Sequence, residues 1–262
     1  MERLFEYSQT ELLRYLLILA RVSPLFMIGP VWGSPMVPAQ VRILMTALVS
    51  GLLLPVTRGP LPAGLGESVF ALALAVGFEL LLGLVLAYMA LILFSAAQFA
   101  GQLMDIQVGF GVANVYDPLT SAQVTLIGQL QYLAALFVFL LLDGHHLLLR
   151  GLAGTFAAAP LGHPFTTALP LMTLVERGGR MLFLLAAQIA APALTALFLT
   201  NFAMGLVSRM LPQINIFLVG LPVNVIAGLL AIAASLSLLP SIWRGAIAGL
   251  EGSLASVLSS VR

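Results

Sequence analysis

The sequence predicts an all-α, polytopic membrane protein of about six hydrophobic helices, some bent or broken and arranged in hairpins. Three observations carry that prediction. Of 262 residues, 61% are hydrophobic and only 8% charged, against roughly half and a quarter in soluble domains, so lipid or partner subunits must cover apolar surface that water cannot. Several charge-free stretches reach the ~20 residues that a helix needs to cross a hydrocarbon layer about 30 Å thick. Prolines and glycines punctuate those stretches, where they end or kink helices.

Taken in order, residues 12–32 form the first apolar stretch, although it contains Arg14 and Arg21. Residues 41–56 are fewer and flanked by Pro38 and Pro55. Residues 80–104, 118–142 and 181–208 are each free of charge, and the proline-interrupted 210–243 completes the six. Pro60, Pro62, Gly64 and Gly66 mark one turn, and Gly144 after Asp143 ends another helix. Residues 145–173 carry Gly151, Gly154, Pro160, Gly162, Pro164 and Pro170, which argues for a helical turn followed by an ordered loop rather than a spanning helix. Ser8 to Glu11 reads as a helix-start signal. Glu2, Glu6 and Glu11 near the start, with no A-x-A-like cleavage site, predict a retained N-terminus rather than a signal peptide.

Small residues at close spacing, such as Gly77 and Gly83, Ala96 and Ala100, or Ala186, Ala190 and Ala193, suggest helix seams. Lipid gives helices no hydrophobic reason to associate, so close backbone approach matters more. If six spans alternate, eight of the eleven arginines fall on one side, Arg42 and Arg209 on the other, and Arg21 within the first span. The positive-inside rule then puts both termini in the cytoplasm.

Composition also excludes functions. A net charge of +1 lacks the basic surface that nucleic-acid phosphates demand, so no nucleic acid is expected. All basic residues are arginine, so no P-loop lysine exists to reach a nucleotide phosphate. With no cysteine there is no disulfide, thiolate nucleophile or thiolate metal ligand.

Two stretches are unlike ordinary spans. Residues 102–123 read QLMDIQVGFGVANVYDPLTSAQ between two long apolar helices. Gly109 and Gly111 loosen the backbone, Asn114 can satisfy local backbone groups, and Asp117-Pro118 favours starting the next helix. At membrane depth such non-helical backbone is tolerated only when buried in protein or lining a cavity. Residues 201–224 read NFAMGLVSRMLPQINIFLVGLPVN. Pro212 removes a backbone donor, so Arg209, Gln213 and Asn215 are expected around a bend whose freed carbonyls need partners, and Gly220 and Pro222 repeat the interruption. Broken helices of this kind also occur at transporter substrate sites, which leaves a small-solute carrier open.

Glu79 lies inside the apolar run 69–104, where an unpaired charge is costly. A neutralised or arginine-paired structural role is expected, with a proton relay as the alternative. Asp143, His145 and His146 invite a metal or acid–base reading, and an intramembrane enzyme built on them is a further hypothesis. Adjacent histidines diverge by about 100° on a helix and only the distant His163 could add a third histidine, so no metal site, no cofactor and no catalytic residue are assigned.

These stretches are where the chain resembles a known family. GFELLLG at 77–83, GQLMDIQVGFGVANVYDP at 101–118, DGHH at 143–146 and PQINIFLVGLP at 212–222 occur in the order found in FliR, a component of the flagellar type III export gate with an injectisome homologue. The resemblance implies one integral membrane export-gate domain over 1–262, with about 1–142 FliP-like and about 175–262 FliQ-like. It implies a structural, non-enzymatic subunit that assembles with FliP-like and FliQ-like proteins, and with FlhB-like and FlhA-like export proteins, to pass unfolded flagellar proteins across the inner membrane at the basal body. It also implies that Gln107, Val108, Gly109, Phe110, Gly111, Val112, Ala113, Asn114, Val115, Tyr116 and Asp117 form a plug loop, and that the helices need not cross the bilayer in simple alternation.

Overall fold

The computed structural model describes residues 2–34, 36–57, 59–62, 64–66, 68–110, 125–162, 171–213 and 215–261. Every regular element among them is helical: α1 Glu2–Ile28, α2 Ala39–Leu53, α3 Val69–Val108, α4 Leu126–Leu141, α5 Gly144–Ala158, α6 Leu171–Met210, α7 Ile216–Leu236 and α8 Leu239–Val261. The all-α, polytopic membrane fold is therefore as expected. Three helices, α3, α6 and α7, are long and apolar enough to cross a membrane, and α4 with α5 makes a fourth if that broken pair counts as one span.

The remaining expected spans differ for physical reasons. The first stretch lies in α1, but Arg14 and Arg21 are both buried in protein rather than offered to lipid. Ser8 to Glu11 does not start a helix, since α1 already runs from Glu2. α2 has only 15 residues, too few for about 30 Å of hydrocarbon. Stretches 80–104 and 181–208 sit inside 40-residue helices, each about 60 Å long and twice a bilayer core. Apolar composition marked the charge-free part of each helix and left its ends open. The stretch 210–243 divides, with α7 ending at Leu236 and α8 continuing from Leu239 beyond the expected end. The expected helical turn after Asp143 is the 15-residue helix α5, in which Gly151 and Gly154 are absorbed without a break.

The chain divides into two compact units. The first comprises Met1–Leu91, Asp143–Val175 and Ala248–Arg262. In it, α1 packs on α2, the Tyr15 hydroxyl donates to the Ala47 carbonyl at 3.2 Å, and Arg42 closes the intervening turn by donating to the Val37 and Met27 carbonyls. α3 passes α1 at Gly83, where an added Cβ would run into the Arg21 carbonyl and the Pro24 ring. Gly83 thus serves as a seam residue, whereas space is open around Gly77.

The second unit comprises Ile92–Leu142 and Glu176–Ile247. Its core is aromatic. Phe94 packs edge-on against Phe139 and Trp243, with ring centroids 5.2 and 5.1 Å away. The suggested seams are real here: Ala96, Ala100, Ala186, Ala190 and Ala193 are all essentially inaccessible.

Candidate functional site

The two unusual stretches both lie in the second unit, whereas Glu79 lies in the first. In the second unit, α3 ends by the local chemistry of Asp105 and Gly109. Gly109 takes φ +100°, a left-handed conformation that favours glycine, and the Gly109 and Phe110 N–H groups both return to the Asp105 carbonyl, at 3.2 and 3.1 Å. The Asp105 side chain, 4% exposed, turns instead to the start of α4. One carboxylate oxygen accepts from the Ile127 N–H at 3.1 Å and the other from the Gly128 N–H at 3.2 Å. The first N–H groups of a helix have no partner within it and carry partial positive charge. The preceding residue, Thr125, makes no side-chain cap. Asp105 takes that role from 22 residues upstream.

This clasp forms where α3 and α4 cross at backbone distance. A Cβ on Gly101 would overlap the Gly128 Cα and approach its nitrogen to 2.6 Å. Val108, 1% exposed, fills the space that Gly228 leaves in α7, where a Cβ would come within 2.5 Å of the valine methyl. The end of α3 and the start of α4 are therefore both fixed in packed protein. Of that segment, Gln107, Val108, Gly109 and Phe110 lie in this stem, while Gly111 to Asp117 fall outside the described residues.

In the first unit, Glu79 is 2% and Arg21 1% exposed, and Arg21 Nε donates to Glu79 Oε2. The other carboxylate oxygen accepts from the Gly162 N–H at 2.9 Å. All three Arg21 nitrogens are engaged: it also donates to the Thr155 hydroxyl at 3.3 Å and the Ala159 carbonyl at 3.0 Å, and its guanidinium lies 4.3 Å from the Phe156 ring centre. A charged pair withdrawn from water is tolerable only when its remaining donors and acceptors are met in this way. The arrangement ties α1, α3 and the end of α5 together, with Glu79 paired to an arginine.

The expected bend near Pro212 lies between α6, ending at Met210, and α7, beginning at Ile216. Arg209, Pro212, Gln213 and Asn215 are exposed there. The Asn215 carbonyl accepts from Leu218 and Val219 and so starts α7. Gly220 and Pro222 do not interrupt again: both lie inside α7. Pro222, the seventh residue of α7, forfeits one internal hydrogen bond and crowds the carbonyl of Leu218, yet the helix runs on.

Asp143, His145 and His146 bring potential ligand atoms within 4.8 Å of one another. The histidine rings sit 4.1 Å apart rather than diverging, because the side chains bend back towards each other. His146 Nδ1 meets Asp143 Oδ1 at 3.1 Å in an exposed i,i+3 contact at the start of α5.

Sequence reasoning singled out Glu79 but passed over Asp105 and the partner role of Arg21. The same signal marks all three, a charge set within a long apolar run, Glu79 and Asp105 in α3 and Arg21 in the apolar part of α1.

Long apolar helices, a broken hairpin and charges neutralised inside the protein define an integral membrane protein whose distinctive chemistry is structural. Residues 12–250 match the family described as bacterial export proteins, family 1, and the chain belongs to it. It is 33% identical over 227 residues to the flagellar biosynthetic protein FliR of Bacillus subtilis (strain 168), covering 86% of each chain. It is 29% identical over 245 residues to FliR of Escherichia coli (strain K12), covering 93% of this chain and 92% of the relative. The Yop proteins translocation protein T of Yersinia pestis is 30% identical over 227 residues, 86% of each.

Proposed function

We propose that this chain is a structural, non-enzymatic, pore-forming subunit of the flagellar type III protein export gate in the bacterial inner membrane, at the flagellar basal body. On this reading it assembles with FliP-like and FliQ-like subunits, contacts FlhB-like and FlhA-like export proteins, and passes unfolded flagellar proteins. The observation that carries the proposal is similarity over nearly the whole chain to proteins named for flagellar biosynthesis.

The geometry supports a conduit component rather than a carrier. Arg21 and Glu79 are engaged with each other and with the surrounding protein, and the described residues of the bend at Pro212 are exposed. The plug assignment for 107–117 rests on the family resemblance and on the segment's composition, apolar and glycine-containing with no charge before Asp117. Apolar side chains such as Val108, Phe110, Val112 and Val115 would exclude water from a narrow passage, and a charge would defeat that seal. The clasp at Asp105 gives such a segment a fixed base.

The Yersinia relative supports a second reading, the corresponding subunit of a virulence secretion apparatus. A strain lacking the chain decides between them. Loss of flagellar filament protein from the medium, restored by the full chain, supports the flagellar assignment. Normal flagellar secretion without it removes that assignment.

A further inference from the structure

Between residues 118 and 175 the chain holds one acid, Asp143, one arginine, Arg150, and three histidines. The acid and two of the histidines, His145 and His146, fall within four consecutive positions at the start of α5. All three belong to the first unit. Polar residues are common where a helix begins, and serine, asparagine or aspartate alone would serve that need. Two imidazoles beside a carboxylate are also the donor set of a transition-metal ion.

The backbone and side chains of the three residues draw that set together. Asp143 takes φ 55° and ψ 25° and is the only left-handed residue other than glycine among the described residues. Its backbone carbonyl starts α5 by accepting from the His146 and Leu147 N–H groups at 3.0 and 3.2 Å. An aspartate before a helix ordinarily turns its carboxylate to the N–H groups of the first turn. Here it makes no such cap, and one oxygen meets His146 Nδ1 at 3.1 Å instead. The His145 ring lies 4.1 Å from the His146 ring, centre to centre, and its Nδ1 is buried with no hydrogen-bond partner. The wide divergence of adjacent helical side chains, which spoke against a metal, is therefore not what α5 presents.

Potential ligand atoms of the three lie within 4.8 Å of one another, and bonds of about 2.0–2.1 Å to a tetrahedral ion set its ligands roughly 3.4 Å apart, so the widest gap closes by at most about 1.4 Å. The Asp143 and His146 side chains are well exposed, free to rotate by that much and open to an ion from solvent.

We infer that Asp143, His145 and His146 bind one divalent ion of the zinc class through two imidazoles and one carboxylate. Magnesium and calcium take oxygen ligands and do not fit this set, whereas zinc does, with water completing its coordination. The ion's role is structural: it ties the left-handed Asp143 to the first turn of α5 and gives the imidazoles a partner that the protein does not supply. The inference goes beyond the export-gate reading and does not depend on it.

The test uses the full-length chain without a polyhistidine tag, in mild detergent with the subunits that accompany it. After equilibration with Zn2+ and gel filtration, elemental mass spectrometry counts zinc against the chain, and competition with a chromogenic chelator reports affinity. The inference expects one more zinc per chain in the wild type than in a His145→Gln, His146→Gln double variant. Loss of an outer-shell partner typically weakens metal binding 10–100-fold, so loss of a ligand in Asp143→Asn should weaken it at least roughly tenfold. Co2+ offered to the unmodified chain should give the visible absorption of a tetrahedral, nitrogen-ligated ion, a readout that requires no variant to fold. Equal zinc in wild type and double variant, or unchanged affinity in Asp143→Asn, would overturn the inference. A cobalt spectrum unchanged from that in buffer would mark an adventitious ion only and overturn it as well. The two readings fail separately: a chain that binds zinc but cannot restore flagellar secretion keeps the site and loses the export assignment, and a metal-free chain that restores it does the reverse.

Discussion

The Asp105 carboxylate holds the backbone N–H of Gly128 at 3.2 Å, and so one helix supplies the cap of the next across the intervening segment. Asp105→Ala strips partners from two buried N–H groups, at about 1–3 kcal/mol for each group left unsatisfied. Hydrogen exchange in detergent should show lost protection at Ile127 and Gly128. Asp105→Asn, which keeps an acceptor, should lose less.

The Arg21–Glu79 pair makes an opposite-sign prediction for single and double changes. Glu79→Leu leaves Arg21 charged and buried, which destabilises by about 3–5 kcal/mol. Arg21→Met combined with Glu79→Leu should recover most of that loss. The thermal midpoint of the purified chain checks both variants. If Glu79→Gln abolished export while assembly stayed normal, Glu79 would have a function beyond its ion pair.

Glycines in this fold separate by what surrounds them. Gly101→Ala drives a methyl into the α4 backbone and should destabilise by roughly 2 kcal/mol or more, with little room for repacking. Gly77→Ala meets open space and should be neutral or stabilising by up to about 1 kcal/mol. Membrane levels and thermal midpoints of the two variants distinguish them, and equal losses would contradict the crossing described at Gly101.

The packing of Val108 on Gly228 is open to a rescue experiment. Gly228→Ala crowds the valine methyl and should lower stability, and Val108→Ala should restore part of it by vacating the space. Additive losses in the double variant would show that the two positions do not touch.

Removing residues 109–114 tests the plug directly. Cells holding the assembled gate should become leaky to small ions, read as membrane conductance. Unchanged conductance would count against a seal formed by this segment.

Much of the fold was legible because membrane composition is a strong signal: long charge-free runs located α3, α6 and α7. Helix ends were less so, since hydropathy cannot say where a helix leaves lipid, and α3 and α6 extend well past their apolar cores. Gly151 and Gly154 misled because a glycine weakens a helix without ending it, and Pro222 because an apolar membrane helix can carry a proline without ending there. Glu79 could be predicted to need a partner, yet which arginine met it depended on α1 and α3 packing, a long-range fact. Asp105 sat inside a quoted motif, but its target lay across the segment, beyond any local spacing rule.

Isolation of the native assembly in mild detergent, followed by identification of its subunits, tests the central proposal most directly. The account predicts FliP-like and FliQ-like membrane proteins in stable association with this chain. Recovery of the chain alone, folded and free of any export protein, would contradict it.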